Sequence, residues 1–369
     1  MKIDKVECVP VNLPIEPFSD AYGKYDEMHY ALAVIHSNEG LMGVGEASPI
    51  DPSFYGETQS SIKATIEQYI DPVIRGRNPL DIDKIESEID NGVSGNASAK
   101  AAVDIALYDL AGKALGVPVY TLLGGLAREE APIALELGIT RPEDMPRMTT
   151  RLLEMGAKAI KVHVGISPRE DVRVIRAMKD SVGDSAAIRA DANGHYTTAE
   201  AIEVLRKVEK CELEYFEQPL AKSNIDGLRR IKQRLEVPIA VDESVWTPQD
   251  ALEICKTSAA DVINIKITRV GGLNKAMKIS HIAEAAYMKY HVGCEFEFGI
   301  ATAAKAHLAL SLAKTPLAAA GEFTEIVTLR DNIVREPIPI SRGFIKPSNK
   351  PGLGVELDPE KMRKYSRKI

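Results

Sequence analysis

Three carboxylates stand at nearly equal intervals in the middle of the chain. Asp191, Glu217 and Asp242 are 26 and 25 residues apart, and each closes a short apolar run. Helical patterns separate the runs, which predicts alternating strands and helices and hence a parallel sheet. Because parallel strands are buried on both faces, a charge that closes a run is expected at the carboxyl end of its strand. Three carboxylates at successive strand ends would converge, and such oxygen ligands suit Mg²⁺ or Mn²⁺.

Two lysines and a histidine flank the three carboxylates. Lys161 and His163 close the run before the first carboxylate, and Lys266 closes the run after the last. If these runs are strands 2 and 6 of an eight-stranded barrel, their ends face each other across the barrel mouth. Lys161 and His163 are two residues apart, so they lie on one side of their strand. The arrangement suits the removal and return of a proton beside a metal-bound carboxylate.

Each of these residues also has a structural explanation. A single aspartate at a strand end is most often a helix cap or a surface charge, and Asn193 or Thr197 after Asp191 fits a cap. Three carboxylates in register on successive strands repel one another unless a cation offsets their charge, which favours a metal site. A Schiff-base lysine would use the same position as Lys161 or Lys266, but the three acids argue against that chemistry.

As a set, these motifs resemble the enolase superfamily, specifically its muconate-lactonizing subgroup. The matching motifs stand in the family's order: KVH at 161–163, DANG at 191–194, EQP at 217–219, DES at 242–244 and KITRVGG at 266–272. The resemblance spans nearly the whole chain. It implies an α/β fold, a modified TIM (β/α)₇β barrel with an α+β capping domain formed by the N-terminal part and the C-terminal tail. It also implies a Mg²⁺-dependent or Mn²⁺-dependent enzyme that moves an α-proton through an enediolate, with a Lys or His base as is known of that superfamily.

The resemblance assigns roles to further residues near these motifs. The subgroup's pattern makes Asp242 the third metal ligand and leaves Glu243, with Asn193, beside the ligands. It predicts a glutamate of the seventh strand at Glu297, with Glu295 as the neighbouring alternative.

His163 is the departure from the family's motif, which has a second lysine at this position. An imidazole has an unperturbed pKa of about 6.5, which suits a base near neutral pH, and neighbouring cations would lower that pKa further. Two interpretations stay open: His163 is the strand-2 base opposite Lys266, or it binds the substrate while Lys266 alone moves the proton. Near a divalent cation and each other, Lys161 and Lys266 are expected to have ammonium pKa values that fall toward neutrality.

The eighth strand bears on the type of reaction. Dipeptide epimerases of the subgroup carry Asp-x-Asp there, whereas this chain has Glu322-Phe323-Thr324. A lone glutamate resembles the muconate cycloisomerases, so we expect a muconate cycloisomerase-like isomerase. An amino-acid or dipeptide racemase or epimerase, a dehydratase, and a carboxylate-binding protein without catalysis are the alternatives.

The chain is predicted to divide into three segments. They are a capping domain at 1–128, the barrel at 129–332 and a C-terminal segment at 333–369 that returns to the cap. In the cap, alternation predicts strands at 2–14, 30–37 and 41–46, and helical spacing predicts helices at 58–74, 80–90 and 97–115. The remaining barrel strands are expected at 133–139, 292–298 and 318–323.

Two predicted loops of the cap, 17–29 and 47–58, are expected to reach over the barrel mouth. Their polar and aromatic side chains make poor core, and such loops often form lids. Tyr22, Lys24 and Tyr55 are therefore the candidates for substrate specificity.

Composition limits the partners. The 369 residues carry a net charge of −7, which argues against nucleic acid or an anionic membrane as a partner. The four cysteines form no C-x-x-C pair, and no signal-like or membrane-spanning run is present, so a reducing cytoplasm is expected. The expected partner is a small carboxylic acid, attracted by the metal and the lysines. Relatives of the family suggest a homo-oligomer.

Overall fold

The computed structural model describes residues 1–48, 52–314 and 316–368, apart from the side chains of Ser53 and Phe54. The N-terminal part is an antiparallel sheet of three strands, β1 Ile3–Ser19, β2 Lys24–Ser37 and β3 Met42–Ala47. The helix Ala97–Leu115 packs on β3 so closely that a Cβ at Gly45 would collide with the carbonyl of Ala102. Glycine at this position therefore sets the distance between helix and sheet.

Helices complete the capping part of the molecule. They are Pro52–Tyr55, Gln59–Ala64, the π-helix Thr65–Ile70, Asp71–Ile74, Ile82–Gly92, Ala97–Leu115 and Val119–Leu122. The helix predicted at 58–74 is thus broken into three pieces by a π-helical turn. Their apolar residues and one face of the sheet form a core of their own, which includes Ile35, Ile66 and Leu107.

Eight parallel strands form a closed barrel. They are β4 Ala131–Leu137, β5 Ala159–His163, β6 Ala187–Asp191, β7 Tyr215–Glu217, β8 Ile239–Val241, β9 Val262–Ile265, β10 Lys289–Val292 and β11 Gly321–Glu322. Each strand pairs with the next, and β11 pairs with β4 to close the ring. The neighbouring ends of these strands are what bring distant residues of the chain together.

Seven helices surround the barrel, one after each of the first seven strands. They are Met145–Glu154, Pro168–Val182, Thr198–Val208, Ile225–Lys232, Pro248–Thr257, Leu273–Ala285 and Gly299–Ser311. Short helical turns lie at Pro142–Asp144, Glu209–Cys211, Ile267–Val270 and Glu325–Thr328. Among the described residues, β11 is followed by the last of these turns and by no eighth barrel helix, which confirms the predicted (β/α)₇β barrel. The N-terminal sheet and its helices form the predicted α+β cap.

The C-terminal tail contacts both parts of the molecule. Its hairpin, β12 Ile340–Ser341 and β13 Phe344–Ile345, extends the barrel sheet by pairing with β4. Beyond the hairpin, the backbone amide of Leu353 donates to Asp109 of the cap at 2.9 Å. The helix Pro359–Tyr365 precedes a final contact with β1. The predicted domain boundaries stay a prediction.

Two predicted elements are wrong in ways that matter for the site. Residues 17–29 are not a loop, because β1 and β2 continue as a hairpin down to the pair Ser19 and Lys24. Cross-strand pairing has overridden the turn-forming composition of this stretch. The predicted strand at 292–298 is wrong as well, because β10 already ends at Val292 and the backbone at Phe296 has a φ of 51°. Residues 293–298 therefore form an irregular segment at the barrel mouth.

Within the described residues, no helix has the length and apolar character needed to cross a bilayer. All four cysteines are free thiols, and Cys8, Cys211 and Cys294 are buried.

Candidate active site

The three carboxylates at the strand ends converge. Asp191, Glu217 and Asp242 are fully buried, and one oxygen from each lies within 4.8 Å of the others. Burial raises the pKa of Glu217 well above 4.5, and the charge of Lys161 offsets that rise only in part. We call these residues the acidic triad. Three oxygen donors so placed, with incompletely compensated charge, fit a divalent cation such as Mg²⁺.

Two cations from the sixth strand end hold Asp242. Lys266 Nζ lies 3.1 Å from Asp242 Oδ2, and the guanidinium of Arg269 forms a second, closer ion pair. Burial would raise the pKa of Asp242, but Arg269 and Lys266 together hold it below its usual range. Asp242 is therefore held in its ionised form, which a cation ligand requires.

Lys161 lies deep in the barrel. Its side chain is 1% exposed, and its Nζ is within 3.6 Å of carboxylate oxygens of Glu136, Asp191, Glu217 and Glu322. Burial lowers the pKa of Lys161, but these carboxylates outweigh burial and raise it well above 10.5. The expected fall toward neutrality is wrong for the protein without a cation, because it considered the neighbouring cations and left out the carboxylates.

Lys266 shows the same effect more weakly. Burial lowers its pKa, and Asp242 raises it above the usual value. Unlike Lys161, Lys266 lines the cavity at the barrel mouth.

His163 stands one step above Lys161 on β5 and lines the cavity. Its Nδ1 lies 2.9 Å from Asn193 Oδ1, while its Nε2 is 3.8 Å from Glu136, beyond hydrogen-bonding distance. Because the amide oxygen of Asn193 accepts, this contact places the proton on Nδ1 and leaves Nε2 for a ligand. Burial would lower the pKa of His163, but Glu136 and Asp191 raise it to about 9. For the protein without a cation, the expectation of a lowered pKa is wrong, since the carboxylate of Glu136 was not foreseen.

Asn193 links the site on two sides. Its side-chain amide donates to Asp191 Oδ2 at 3.3 Å and to Glu243 Oε1 at 3.2 Å. Glu243 also accepts from the hydroxyl of Tyr22 at 3.2 Å. Burial, Asp242 and Asp191 raise the pKa of Glu243 to about 8. Glu243 is not part of the triad, and its role beside the ligands stays a prediction.

A cavity of about 290 Å³ opens above the triad between cap and barrel. Its wall combines polar residues of the barrel with aromatic residues of the cap. The residues that line it are Asp20, Tyr22, Tyr25, Glu27, Met28, His29, Pro52, Tyr55, Glu136, His163, Asn193, Lys266, Cys294, Glu295 and Phe296. A small molecule in this space would touch both proton-transfer candidates.

Of the three specificity candidates in the cap, two line the cavity and one does not. Tyr22 and Tyr55 line the cavity, and the ring of Tyr55 packs edge-on against Trp246 at 5.7 Å. Lys24 does not, because it begins β2 on the exposed side of the hairpin. Residues 49–51 of the predicted lid 47–58 lie outside the described residues.

Glu297 and Glu322, which the resemblance assigns to the seventh and eighth strands, do not line the cavity. Glu297 accepts from Lys305 Nζ at 2.6 Å, whereas Glu295 lines the cavity together with Cys294 and Phe296. An extended strand would have pointed both the same way, but the irregular backbone separates them. Glu322 lies in the barrel interior, where it accepts from Lys161 at 3.1 Å and from Tyr215 at 3.3 Å.

Sequence reasoning missed three residues of the site. Glu136 on β4 contacts both Lys161 and His163, Arg269 pairs with Asp242, and Asn264 donates to Glu217 at 2.6 Å. Glu136 and Asn264 are polar residues inside apolar strand runs, and that interruption is the signal that could have revealed them.

Known proteins match the chain over nearly its full length. Residues 3–124 match the family described as mandelate racemase / muconate lactonizing enzyme, N-terminal domain, and residues 144–361 match the family described as enolase C-terminal domain-like. The chain is 33% identical to the N-succinyl-L-Arg/Lys racemase of Bacillus cereus, with 99% of this chain and 98% of the relative covered. It is 31% identical to the chloromuconate cycloisomerase of Pseudomonas putida over 100% of both chains.

A solved structure links this fold to a metal. The dipeptide epimerase of Enterococcus faecalis, complexed with Mg and the dipeptide L-Leu-L-Tyr, superposes with a TM-score of 0.90 at 31% identity. The superposition covers 96% of this chain and 99% of that one. With its barrel, its acidic triad and both family domains, this chain is an enzyme of the enolase superfamily and belongs to the muconate-lactonizing subgroup.

Proposed function

We propose that the protein is a Mg²⁺-dependent isomerase that moves the α-proton of a small carboxylic acid. The observation that supports this most is the placement of His163 and Lys266. Both line one cavity, and their strands, β5 and β9, stand opposite each other in the eight-stranded ring. The strands that carry the triad lie between them. A substrate carboxylate near the triad would have a proton-transfer group on each face of its α-carbon.

Asp191, Glu217 and Asp242 would hold the cation, with Mn²⁺ as the alternative to Mg²⁺. When bound, a divalent cation supplies positive charge that offsets the triad and polarises the substrate carboxylate, which makes the α-hydrogen more acidic. Lys161 contacts two of these acids, at 3.0 Å and 3.6 Å, from the barrel interior. We therefore assign Lys161 an electrostatic role and not a proton-transfer role.

The proton would move between His163 Nε2 and Lys266 Nζ by way of the substrate. Asn193 fixes the imidazole through Nδ1, which leaves Nε2 to accept the α-proton on one face when the ring is neutral. Lys266, held by Asp242, returns a proton on the other face. For the opposite enantiomer the two groups exchange roles, with no net gain or loss of protons. This two-sided arrangement favours racemisation or epimerisation.

A muconate cycloisomerase-like reaction is the second candidate. It is supported by the full-length match to a chloromuconate cycloisomerase and by the lone glutamate of the eighth strand. It would need only one of the two proton-transfer groups. The cytoplasmic location and the homo-oligomer stay predictions.

The test is α-hydrogen exchange in D₂O with Mg²⁺, using both enantiomers of free, N-acylated and dipeptide amino acids, and lactonisation of cis,cis-muconate. We expect His163→Ala and Lys266→Ala each to lose exchange of one enantiomer by about 10²–10⁴-fold, the usual contribution of a general acid or base. Exchange of both enantiomers that persists in His163→Ala would show that the histidine only binds. Muconate turnover without exchange of any amino acid would instead favour the cycloisomerase.

A further inference from the structure

One carboxyl group on the cavity wall has no part in the proposed proton transfer. Glu295 follows β10, is 3% exposed and lines the cavity. In the part of the chain that the structure describes, neither of its carboxylate oxygens has a hydrogen-bond partner of normal geometry. The backbone of Thr268 is the polar group near enough to lower its pKa. A buried polar group left in this state is costly, and native proteins leave few of them without a reason.

The other carboxylates of the cavity wall are already engaged. Asp20 accepts from the backbone amides of Tyr22 and Gly23 at 2.8 Å and 3.0 Å. Glu27 is exposed at the mouth and accepts from Asn12, and Glu136 pairs with Lys161 at 2.9 Å. Among the described residues that line the cavity, Glu295 is thus the acid that remains for a ligand.

The positive charge near Glu295 compensates its burial only in part. Burial and the charge of Glu297 raise the pKa of Glu295 well above 4.5, and Lys305 with the backbone of Thr268 offsets only part of this rise. Lys305 is occupied by Glu297 at 2.6 Å and by Glu325 at 3.1 Å. A cation inside the cavity would supply what these neighbours do not.

The rest of the wall also suits an organic cation. Four aromatic side chains of the wall, Tyr22, Tyr25, Tyr55 and Phe296, surround the same space as Glu295. Aromatic rings attract ammonium groups, most strongly where water is excluded. A second carboxylate at this end of the cavity would instead meet like charge.

We infer that Glu295 binds a positively charged nitrogen of the substrate. The substrate class is then a carboxylic acid with a protonated or quaternary nitrogen near its α-carbon, such as an amino acid or a betaine, and not a dicarboxylate. This assignment rests on the proposed function for the position of the substrate carboxylate. Recognition of the cation can be measured apart from catalysis.

The experiment compares two ligands that differ in charge and have nearly the same shape. Glycine betaine carries a quaternary nitrogen where 3,3-dimethylbutanoate has a carbon atom. Calorimetry with Mg²⁺ present should show that the wild type binds glycine betaine at least tenfold more tightly than 3,3-dimethylbutanoate. Glu295→Gln should weaken betaine binding until the preference falls below about threefold. As the control, Asp26→Asn removes an exposed acid of the β1–β2 hairpin that does not line the cavity, and this variant should keep the preference.

A variant that replaces the buried carboxyl by an apolar group guards against misfolding. Glu295→Met is expected to fold at least as stably as wild type and to lose the preference as Glu295→Gln does. Equal binding of the two ligands by wild type, no detectable binding of betaine, or a preference that persists in both Glu295 variants would overturn the inference. Exchange of the betaine methylene hydrogens in D₂O is measured in parallel. Preference without exchange of the betaine or of any acid in the panel described above would refute the proposed function and leave the cation site standing.

Discussion

Two buried acidic clusters lie at the barrel mouth, and they differ in how their charge is balanced. The acidic triad contains three carboxylates. Lys161 contacts Glu217 from the barrel interior, and Lys266 contacts Asp242. The second cluster consists of Cys294, Glu297 and Glu325, whose donor atoms also lie within 4.8 Å of one another.

The charge of the second cluster is balanced in large part by a lysine of the protein. Lys305 Nζ contacts both Glu297 and Glu325, and Thr302 donates to Glu325 at 2.8 Å. Burial raises the pKa of the Cys294 thiol well above 9, so it stays protonated and is a poor metal ligand. The two clusters have similar donors at similar distances. Even so, the acidic triad is predicted to bind a metal, whereas the second cluster is predicted to be an ion network without one. The difference is that Lys305 is shared between two carboxylates, whereas Lys161 is shared among four, of which only Asp191 and Glu217 belong to the triad.

The largest effect expected from this comparison is on metal binding. Glu217→Gln should lower Mg²⁺ affinity at least about 100-fold and abolish nearly all turnover, because it removes a charged ligand while keeping the side-chain shape. Glu297→Gln makes the same change in the second cluster and should alter Mg²⁺ affinity less than about twofold. Isothermal titration calorimetry measures both. If Glu297→Gln weakens Mg²⁺ binding as strongly, the distinction between the clusters is wrong.

The next effect is on stability. Lys305→Met should destabilise the fold by about 3–5 kcal/mol, since it leaves two carboxylates buried without their cation. As the control, Lys278→Met removes a surface ion pair with Asp83 at 3.4 Å and should cost less than about 1 kcal/mol. Urea denaturation followed by circular dichroism gives both values. A Lys305→Met protein as stable as the control would show that the second cluster does not depend on its lysine.

A smaller effect, on kcat, is expected at Asn193, which contacts both Asp191 of the triad and His163. Asn193→Ala removes the acceptor for His163 Nδ1, and we expect kcat to fall about tenfold with little change in KM, as for a positioning residue beside a metal site. Asn193→Asp keeps an acceptor oxygen and should recover part of the loss. The pH profile of kcat distinguishes this role, because only a changed imidazole environment moves it. An unchanged profile together with lost Mg²⁺ binding would mean that Asn193 acts through Asp191.

The smallest effect concerns the cap. Tyr22→Phe removes the hydroxyl that lies 3.2 Å from Glu243 and 3.3 Å from the backbone oxygen of Asn193. Loss of this hydrogen bond should weaken substrate binding by about 1 kcal/mol, which raises KM about fivefold and leaves Mg²⁺ affinity unchanged. Steady-state kinetics and calorimetry test this division of labour. Lost Mg²⁺ binding in a folded Tyr22→Phe protein would show that the cap supports the metal and does more than select the substrate.

The sequence by itself was enough for the barrel and for the convergence of its acids. Near-continuous apolar runs with a charge at one end predict buried parallel strands, and closure of the ring then forces Asp191, Glu217 and Asp242 together. The same logic predicted that the strand of Lys161 and His163 would stand opposite the strand of Lys266, as β5 and β9 do. These inferences succeed because they depend on strand order, which local patterns encode.

Only the tertiary structure decided which of the remaining residues face the cavity. Lys161 and His163 share one side of β5, yet two residues along a strand amount to about 7 Å of depth, so one is interior and the other lines the cavity. The pKa directions depended on Glu136, which another strand brings beside them. Glu295 and Glu297 were separated by an irregular backbone that no period describes. Depth, neighbours from other strands and irregular segments are set by packing across the whole barrel, and local sequence does not encode them.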